Sequence, residues 1–232
     1  MSNEPENFEE GDESSVNYLH RPTKTLLTGV SGSGKSEAAG RILLRSDAPI
    51  RFVFDHQGEF GPRFGFPTSR THEDLDYLVS AMMEGKNVVV CFDPSDLFPG
   101  DTEGAFDWFC EWSLTVSQLP ELVFVPKLFA TDEMQDLVTT GSVCRSFKVL
   151  WTSGRKWTVD FVGIASQPNL IHNLIFNQFT RYVSFQQGSS QATTPLKKVG
   201  FDEDELMSLP PLNYIVLDRS KGFSFSRGII RF

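Results

Sequence analysis

The sequence has few of the features that mark membrane, metal-bound or disulfide-stabilised proteins. Its 232 residues include only three cysteines, Cys91, Cys110 and Cys144, and no Cys or His spacing suits a metal site. No run of about 18 apolar residues is present, which argues against a transmembrane helix. The amino terminus is acidic rather than basic and then apolar, so it does not resemble a signal peptide. These absences favour a protein made and used in a reducing compartment inside a cell.

Basic residues are also scarce, since 21 Lys and Arg stand against 30 Asp and Glu, for a net charge of −9. Residues 1–15 hold six of these acids and no base, so the remainder carries a net charge of −3. The balance argues against a nucleic-acid coat or a polybasic membrane binder. We predict a disordered acidic tail at 1–20, either a solubilising leader or an interaction segment, and one domain at 21–232.

The hydrophobic fraction of 40% and the 21 Phe are sufficient for a large core. Short apolar runs alternate with helical stretches, which predicts an α/β fold with a mainly parallel central sheet flanked by helices and closed by antiparallel carboxy-terminal strands. Predicted strands are 24–28, 51–55, 87–92, 127–131, 161–166, 181–185, 214–217 and 223–232. Predicted helices are 36–44, 71–83, 102–118 and 142–152.

One glycine-rich segment matches the phosphate-binding pattern GxxxxGK[ST] at every fixed position. It follows a predicted strand and precedes a predicted helix, which is the context that the pattern requires. Its backbone N–H groups should cradle the phosphates of ATP, Lys35 should reach the β- and γ-phosphates, and Ser36 should ligate Mg²⁺. The predicted nucleotide-binding residues are Gly29, Ser31, Gly32, Ser33, Gly34, Lys35, Ser36 and Asp132.

Two adjacent carboxylates follow the apolar strand at 127–131. Asp132 is predicted to hold Mg²⁺ through water, and Glu133 to orient and polarise the attacking water. Without the phosphate-binding segment, this pair of carboxylates would equally indicate the start of a solvated helix. Gln167, at the end of the strand at 161–166, is predicted to sense the γ-phosphate if that strand lies beside the Asp132 strand; otherwise it is an ordinary polar residue. Pro126 requires the Asp132 strand to start at or after that residue.

These motifs together resemble the HerA/FtsK superfamily of P-loop ATPases. The resemblance covers residues 24–220 and rests on GVSGSGKS at 29–36, FDHQGEF at 54–60, LFATDE at 128–133 and GRKWTVDFVGIASQP at 154–168. It implies a RecA-like ASCE fold and a homo-oligomeric ring, usually a hexamer, that translocates double-stranded DNA with ATP sites between subunits. Arg155 is then the first candidate for an arginine finger acting in trans, and Arg181 the second. Asp55 and Glu59 either shape the site or serve as ordinary loop acids.

The compact core is similar to the genome-packaging ATPases of membrane-containing icosahedral viruses and phages. That similarity implies partners at a capsid vertex, portal or viral membrane, and a location in the host cytoplasm or at the packaging vertex of the virion. Candidate DNA contacts are Arg145, Lys148, Lys156, Lys197 and Lys198, and the polar segment 138–145 is a candidate pore loop. Three alternatives remain: a morphogenesis or secretion ATPase that moves protein, a cellular HerA-like DNA-processing translocase, and a P-loop kinase or regulatory module.

Overall fold

Strands and helices alternate through residues 21–231, the part of the chain that the computed structural model describes. The predicted tail at 1–20 lies outside the described residues. The strands are β1 (Lys24–Thr28), β2 (Ile50–Phe54), β3 (Thr68–Ser69), β4 (Val88–Phe92), β5 (Lys127–Thr131), β6 (Val159–Ala165), β7 (Arg181–Ser184), β8 (Asn213–Asp218) and β9 (Ser224–Ile229). The helices are α1 (Lys35–Arg45), α2 (Phe60–Phe64), α3 (His72–Met83), α4 (Thr102–Ser117), α5 (Met134–Leu137), α6 (Arg145–Ser153), α7 (Asn173–Phe176), α8 (Ser190–Lys198) and α9 (Glu203–Ser208).

All nine strands form one sheet in the order β3-β4-β2-β5-β6-β1-β7-β8-β9. Strands β1 to β7 are parallel to one another, whereas β8 runs antiparallel to β7 and β9 antiparallel to β8, as the sequence predicts. Strand β6 lies between β1 and β5, so the strand preceding the phosphate-binding segment is separated from the Asp132 strand by one neighbour. The carboxyl ends of these parallel strands meet at one edge, where ligands of open α/β sheets bind.

Both faces of the sheet are buried, as expected for central parallel strands. Alternate residues of one strand point to opposite cores: Phe52 and Phe54 pack toward α3, α4 and α6, whereas Val53 packs toward α1 and α2. The first core is rich in aromatic rings, including Phe109 stacked on Phe92 with centroids 5.0 Å apart. The high Phe content of the sequence is therefore concentrated between the sheet and one layer of helices.

The amino-terminal edge of the sheet contains two buried lysines with matched acceptors. Lys127 begins β5 directly after Pro126, and its amine donates to the carbonyls of Leu122, Val125 and Trp157. Burial lowers the pKa of Lys127 to about 8. Lys24 similarly donates to the Trp151 carbonyl at 2.8 Å and lies over the Trp151 ring. These lysines tie loops to the sheet edge opposite the phosphate-binding segment.

The predicted elements are present, β1 and β5 with the predicted bounds and the others with shifted ends, and several shorter elements were not predicted. The helix predicted at 142–152 begins at Arg145. Val138 bridges Val143, and Thr139 bridges Ile171, so both ends of the candidate pore loop are anchored. The unpredicted elements are β3, α2, α5, α7, α8 and α9. No helix within residues 21–231 combines the length and apolar character needed to cross a membrane.

Candidate nucleotide site

The glycine-rich segment forms a tight loop between β1 and α1. Gly29 is in close contact with the residue that follows β7, since a Cβ placed there would lie 2.7 Å from the Phe185 Cβ. Gly34 precedes α1 with a φ of 108°, a left-handed conformation that suits glycine. The loop is held to the end of β7 by the Val30 N–H, which donates to the Gln186 carbonyl at 2.9 Å. The loop geometry therefore confirms the local structure predicted for a phosphate-binding segment.

Lys35 is the first residue of α1, and its amine reaches back across the loop. The amine donates to the Val30 carbonyl at 2.9 Å, and the side chain is largely buried. Burial lowers the pKa of Lys35, while the carboxylates of Glu133 and Asp132 act in the opposite direction. The lysine thus lies between the loop and the two acids that the sequence assigned to the site.

Asp132 and Glu133 follow β5 at the carboxyl edge of the sheet. Asp132 is buried, and burial raises its pKa to about 6, although its Oδ1 accepts the Glu133 N–H at 2.8 Å. Glu133 adopts a left-handed conformation with φ 39° and ψ 50°, which is uncommon for a residue with a side chain. Such strain is concentrated at functional sites, and here it turns the chain sharply so that both carboxylates lie at the mouth of the loop.

Two side chains that sequence reasoning missed hold the Glu133 carboxylate. The Gln135 amide donates to one carboxylate oxygen, and the Ser166 hydroxyl donates to the other at 3.2 Å. The Ser166 N–H in turn donates to the Gln135 Oε1 at 3.2 Å, which closes a small network. Ser166 directly follows β6 and reaches Glu133 only because β6 neighbours β5. The network fixes the orientation of the carboxylate predicted to act as the base.

Gln167 lies one residue beyond this network. The predicted condition for its role is met, since β6 pairs with β5. However, the Gln167 side chain is exposed at the start of a short 3-10 turn, Pro168–Leu170, and it does not line the cavity between the loop and the acids. Ser166, the preceding residue, makes the contact to Glu133 instead. The γ-phosphate role of Gln167 stays a prediction.

A cavity of about 210 Å³ lies between the loop and the acids. Such a volume is below the roughly 300–1,000 Å³ of pockets that enclose a whole ligand, and it suits a phosphate chain. Arg63 lines it and approaches Glu37 at 3.5 Å, so the site includes a guanidinium from the same chain. Sequence reasoning missed Arg63 because α2, which carries it, was not predicted. The cavity is lined by Ser31, Gly32, Gly34, Lys35, Ser36, Glu37, Gln57, Glu59, Arg63, Asp132, Glu133 and Leu212.

Asp55 and Glu59, the two candidate site-shaping acids, have different surroundings. Asp55 is buried, and its carboxylate accepts the backbone N–H groups of Glu59, Phe60 and Gly61 at 2.9–3.1 Å. It therefore supports the start of α2, and the structure favours the loop-acid interpretation of this residue. Glu59 lines the nucleotide cavity and adds negative charge beside Asp132.

The two candidate arginine fingers lie at the amino-terminal edge of the sheet. Arg155 is exposed in a 3-10 turn, Gly154–Trp157, that precedes β6, and Arg181 is the exposed first residue of β7. Strand β6 contains seven residues and spans about 20 Å. Neither arginine can reach the phosphate-binding loop of its own chain, because that loop lies at the opposite edge. Both remain candidates for action in trans.

The candidate DNA contacts are all exposed but do not form one cluster. Arg145 and Lys148 lie on the first turns of α6, after the carboxyl-edge segment 138–145. Lys156 is beside Arg155 at the amino-terminal edge. Lys197 and Lys198 end α8, where Lys197 pairs with Glu203. Only Arg145 and Lys148 are therefore adjacent to the candidate pore loop.

Solved structures of other proteins superpose on this chain over nearly its whole length. The genome-packaging NTPase B204 of Sulfolobus turreted icosahedral virus 2, in complex with sulfate, superposes with a TM-score of 0.68 and 13% identity over 91% of this chain and 98% of that chain. The same protein with AMPPCP gives a TM-score of 0.64. The chain has the fold of a P-loop NTPase. No family model and no curated protein sequence matches it.

Two further structures with the same P-loop NTPase fold come from other kinds of protein. The bacterial conjugative coupling protein TrwB superposes with a TM-score of 0.61 and 14% identity over 90% of this chain and 84% of that chain. The cytoplasmic domain of the Thermomonospora curvata type VII secretion ATPase EccC gives 0.56 and 14%, over 90% of this chain but 25% of that chain. These neighbours agree with the fold that the motifs imply.

The residues at the cavity fit a Mg²⁺ ion. Ser36 and Asp132 both line it, and their oxygen atoms are the hard ligands that Mg²⁺ prefers. Residues 21–231 contain no group of three His, Cys, Asp or Glu side chains arranged to hold a metal ion. Such a set is not required, because Mg²⁺ at nucleotide sites takes one or two protein ligands and completes its shell with phosphates and water.

Proposed function

We propose that this protein is an ATPase that drives double-stranded DNA into a preformed viral capsid. The observation that carries the proposal is the two-way agreement with B204, which covers 91% of this chain and 98% of that chain. The same fold in EccC corresponds to 25% of a much longer chain. The matched region thus corresponds to nearly the whole of the packaging NTPase chain but to about a quarter of the secretion ATPase chain.

The proposed chemistry assigns a separate task to each residue at the loop. The backbone N–H groups of the loop and the Lys35 amine bind the ATP phosphates, and Ser36 and Asp132 hold Mg²⁺. When bound, Mg²⁺ neutralises charge on the phosphates. Glu133 accepts a proton from the attacking water, and Gln135 and Ser166 hold its carboxylate in position. Arg63, in the same cavity, can stabilise charge that develops on the phosphates.

We further propose that the chain works as a homo-oligomeric ring, with a hexamer as the expected size. The position of Arg155 supports this arrangement, because an exposed arginine far from its own loop can enter the site of a neighbour. A ring also removes the need for a basic surface on each subunit, since Arg145 and Lys148 would be repeated around a pore. The motor would act at a capsid vertex, in contact with portal or membrane proteins, in the host cytoplasm.

The proposal is tested by measuring ATP hydrolysis with and without linear double-stranded DNA. We expect stimulation of several-fold, with little effect from an equal mass of single-stranded DNA. The Lys35→Ala variant serves as the control for contaminating ATPases. Normal basal hydrolysis that no DNA stimulates would contradict the packaging function and would leave a protein-moving ATPase as the better assignment.

The ring is tested by mixing Arg155→Ala subunits with wild-type subunits at constant total concentration. If Arg155 acts on a neighbour, each variant subunit disables a site that is not its own, and activity falls in a curved, dose-dependent manner. Arg181→Ala gives the comparison for the second candidate. Activity that falls in proportion to the variant fraction would argue against a finger in trans.

A further inference from the structure

The nucleotide cavity has two ends that are lined by different parts of the chain. Gln57, Glu59 and Arg63, from α2 and the loop before it, line one end, whereas Leu212, just before β8, lines the other. In the sheet, β2 leads to α2 and lies beside β5, whereas β8 lies beyond β6, β1 and β7. Glu59 also contributes to the raised pKa of Asp132, which follows β5. Arg63 is therefore at the end of the cavity that contains the two acids after β5.

Helix α2 is held in place on two sides, so its backbone determines where Arg63 can reach. The Asp55 carboxylate accepts three backbone N–H groups at the start of the helix. The Phe64 ring packs so closely against α1 that a Cβ placed on Gly40 would collide with it. A change in the position of the guanidinium therefore comes from rotation of the Arg63 side chain rather than from movement of the helix.

The Arg63 guanidinium pairs only loosely with Glu37, the residue after Ser36. The nearest nitrogen is 3.5 Å from the Glu37 Oε2, and the Arg63 side chain is 45% exposed. Glu37 has a closer partner, because its Oε1 accepts the Arg41 Nε–H at 2.7 Å. An exposed ion pair contributes little to stability, since water competes for both charges. Arg63 can therefore leave Glu37 at small cost, and Glu37 retains a cation when it does.

The cavity contains few cations for a site that binds phosphates. Among the described residues that line it, only Lys35 and Arg63 carry positive charge. Four acids also line it: Glu37, Glu59, Asp132 and Glu133. Lys35 bonds to the loop, so Arg63 is the cation at the acid end, where the terminal phosphate lies if Glu133 polarises the water that attacks it. A guanidinium suits this position, because it can donate two parallel hydrogen bonds to phosphate oxygens.

We propose that Arg63 leaves Glu37 to bind the terminal phosphate of ATP in its own chain, and that it thereby distinguishes ATP from ADP. ADP has no phosphate at the acid end, so with ADP bound Arg63 stays paired with Glu37. This role is separate from that of an arginine supplied by a neighbouring subunit. The inference rests on the nucleotide chemistry of the proposed function and not on DNA packaging.

The proposal is tested by isothermal titration calorimetry of the full chain with Mg²⁺ and without DNA. The two probes are AMPPCP, which keeps a terminal phosphate and is not hydrolysed at its methylene bridge, and ADP. Arg63→Ala should weaken AMPPCP binding at least tenfold and change ADP binding by less than twofold. Arg63→Lys keeps the charge without the paired donors and should restore part of the AMPPCP affinity. Unchanged ADP binding also shows that the variant site is folded.

Arg45→Ala is the matched control, because it removes an exposed positive charge from α1 outside the cavity. Arg45 is eight residues from Glu37, or about 12 Å along the helix, and its loss should change both affinities by less than twofold. Glu37→Gln removes the competing acid and should favour AMPPCP over ADP by a further two- to fivefold. This preference should disappear when Glu37→Gln is combined with Arg63→Ala.

Three results would overturn the proposal. Equal losses of AMPPCP and ADP binding in Arg63→Ala would show general attraction of phosphates or a structural role. No loss for either probe would reduce the pair with Glu37 to a surface contact. A preference in Glu37→Gln that persists without Arg63 would assign the effect to another group. A wild-type protein that binds neither probe would instead contradict the nucleotide site on which both proposals rest, whereas the response to DNA does not enter this experiment.

Discussion

Replacing Asp132 by Asn tests whether this buried carboxylate reduces the stability of the fold in order to serve the site. Burial raises its pKa from 3.8 to about 6, and the nearby carboxylates of Glu133 and Glu59 also raise it. A difference of one in pKa corresponds to about 1.4 kcal/mol, so the ionised carboxylate costs the folded state about 3 kcal/mol at pH 7.5. Asn has nearly the same shape and retains an oxygen that can accept the Glu133 N–H.

The sign of the pH dependence follows from the raised pKa. Above pH 6, Asp132 is ionised in both the folded and the unfolded chain, and the full cost is present. Below the unfolded pKa of 3.8, both states are protonated, and the cost disappears. The Asp132→Asn variant should therefore be more stable than wild type by about 3 kcal/mol at pH 7.5, and the gain should fall steadily between pH 6 and pH 4.

The measurement is urea unfolding at several pH values without nucleotide and with EDTA, so that no bound ion offsets the charge. Asp76→Asn, at an exposed position on α3, is the control and should change stability by less than about 0.5 kcal/mol. The Asp132→Asn variant should also lose hydrolysis. Unchanged or reduced stability at pH 7.5 would refute the reasoning, because the raised pKa of about 6 already includes the opposing effect of Lys35 and still requires a cost for the ionised carboxylate.

Three further predictions concern single side chains. Lys35→Ala should reduce ATP turnover at least a hundredfold, measured as phosphate release, because it removes the amine at the loop; retained turnover would remove the phosphate-binding assignment. Glu133→Gln should bind a fluorescent ATP analogue with unchanged affinity while hydrolysis is lost, and loss of binding would instead give Glu133 a structural role. Lys127→Met should destabilise the fold by about 2–4 kcal/mol in urea unfolding, since it removes the amine that donates to three carbonyls at the edge of the core, of which the Leu122 carbonyl keeps the Val125 N–H as a donor. A neutral result for Lys127→Met would show that water replaces the amine.

The parts of the site that can be predicted from the sequence are formed by residues that are close together along the chain. The phosphate-binding loop is specified by eight consecutive residues, and the structure places Lys35 and Ser36 at the nucleotide cavity. The alternation of strands and helices was sufficient to predict a mainly parallel sheet and its antiparallel end. The predicted bounds of β1 and β5 are confirmed, whereas ends of the other predicted strands differ by up to three residues, because hydrophobic patterns mark buried faces rather than the last hydrogen bond of a strand.

The parts that sequence reasoning missed depend on tertiary contacts. Ser166 and Gln135 meet at Glu133 only through the pairing of β5 with β6 and the left-handed turn at Glu133. Arg63 enters the cavity from α2, whose sequence FGPRF contains Gly and Pro and gives no helical periodicity. Proline is tolerated there because it lies in the first turn of the helix. Neither contact leaves a signal in the spacing of residues along the chain.

Three aspartates lie at the carboxyl ends of neighbouring strands. The hydrogen bonds that each carboxylate accepts distinguish the structural acids from the functional one. Asp55, Asp93 and Asp132 each follow a buried parallel strand, so their sequence contexts are equivalent. Asp55 accepts three backbone N–H groups. Burial would raise the pKa of Asp93, but bonds from Ser95 and Arg70 lower it overall. Asp132 accepts one backbone N–H and keeps a raised pKa beside Lys35. An acid left unsatisfied beside a phosphate-binding loop has capacity for a cation, and this distinguishes Asp132 from the other two.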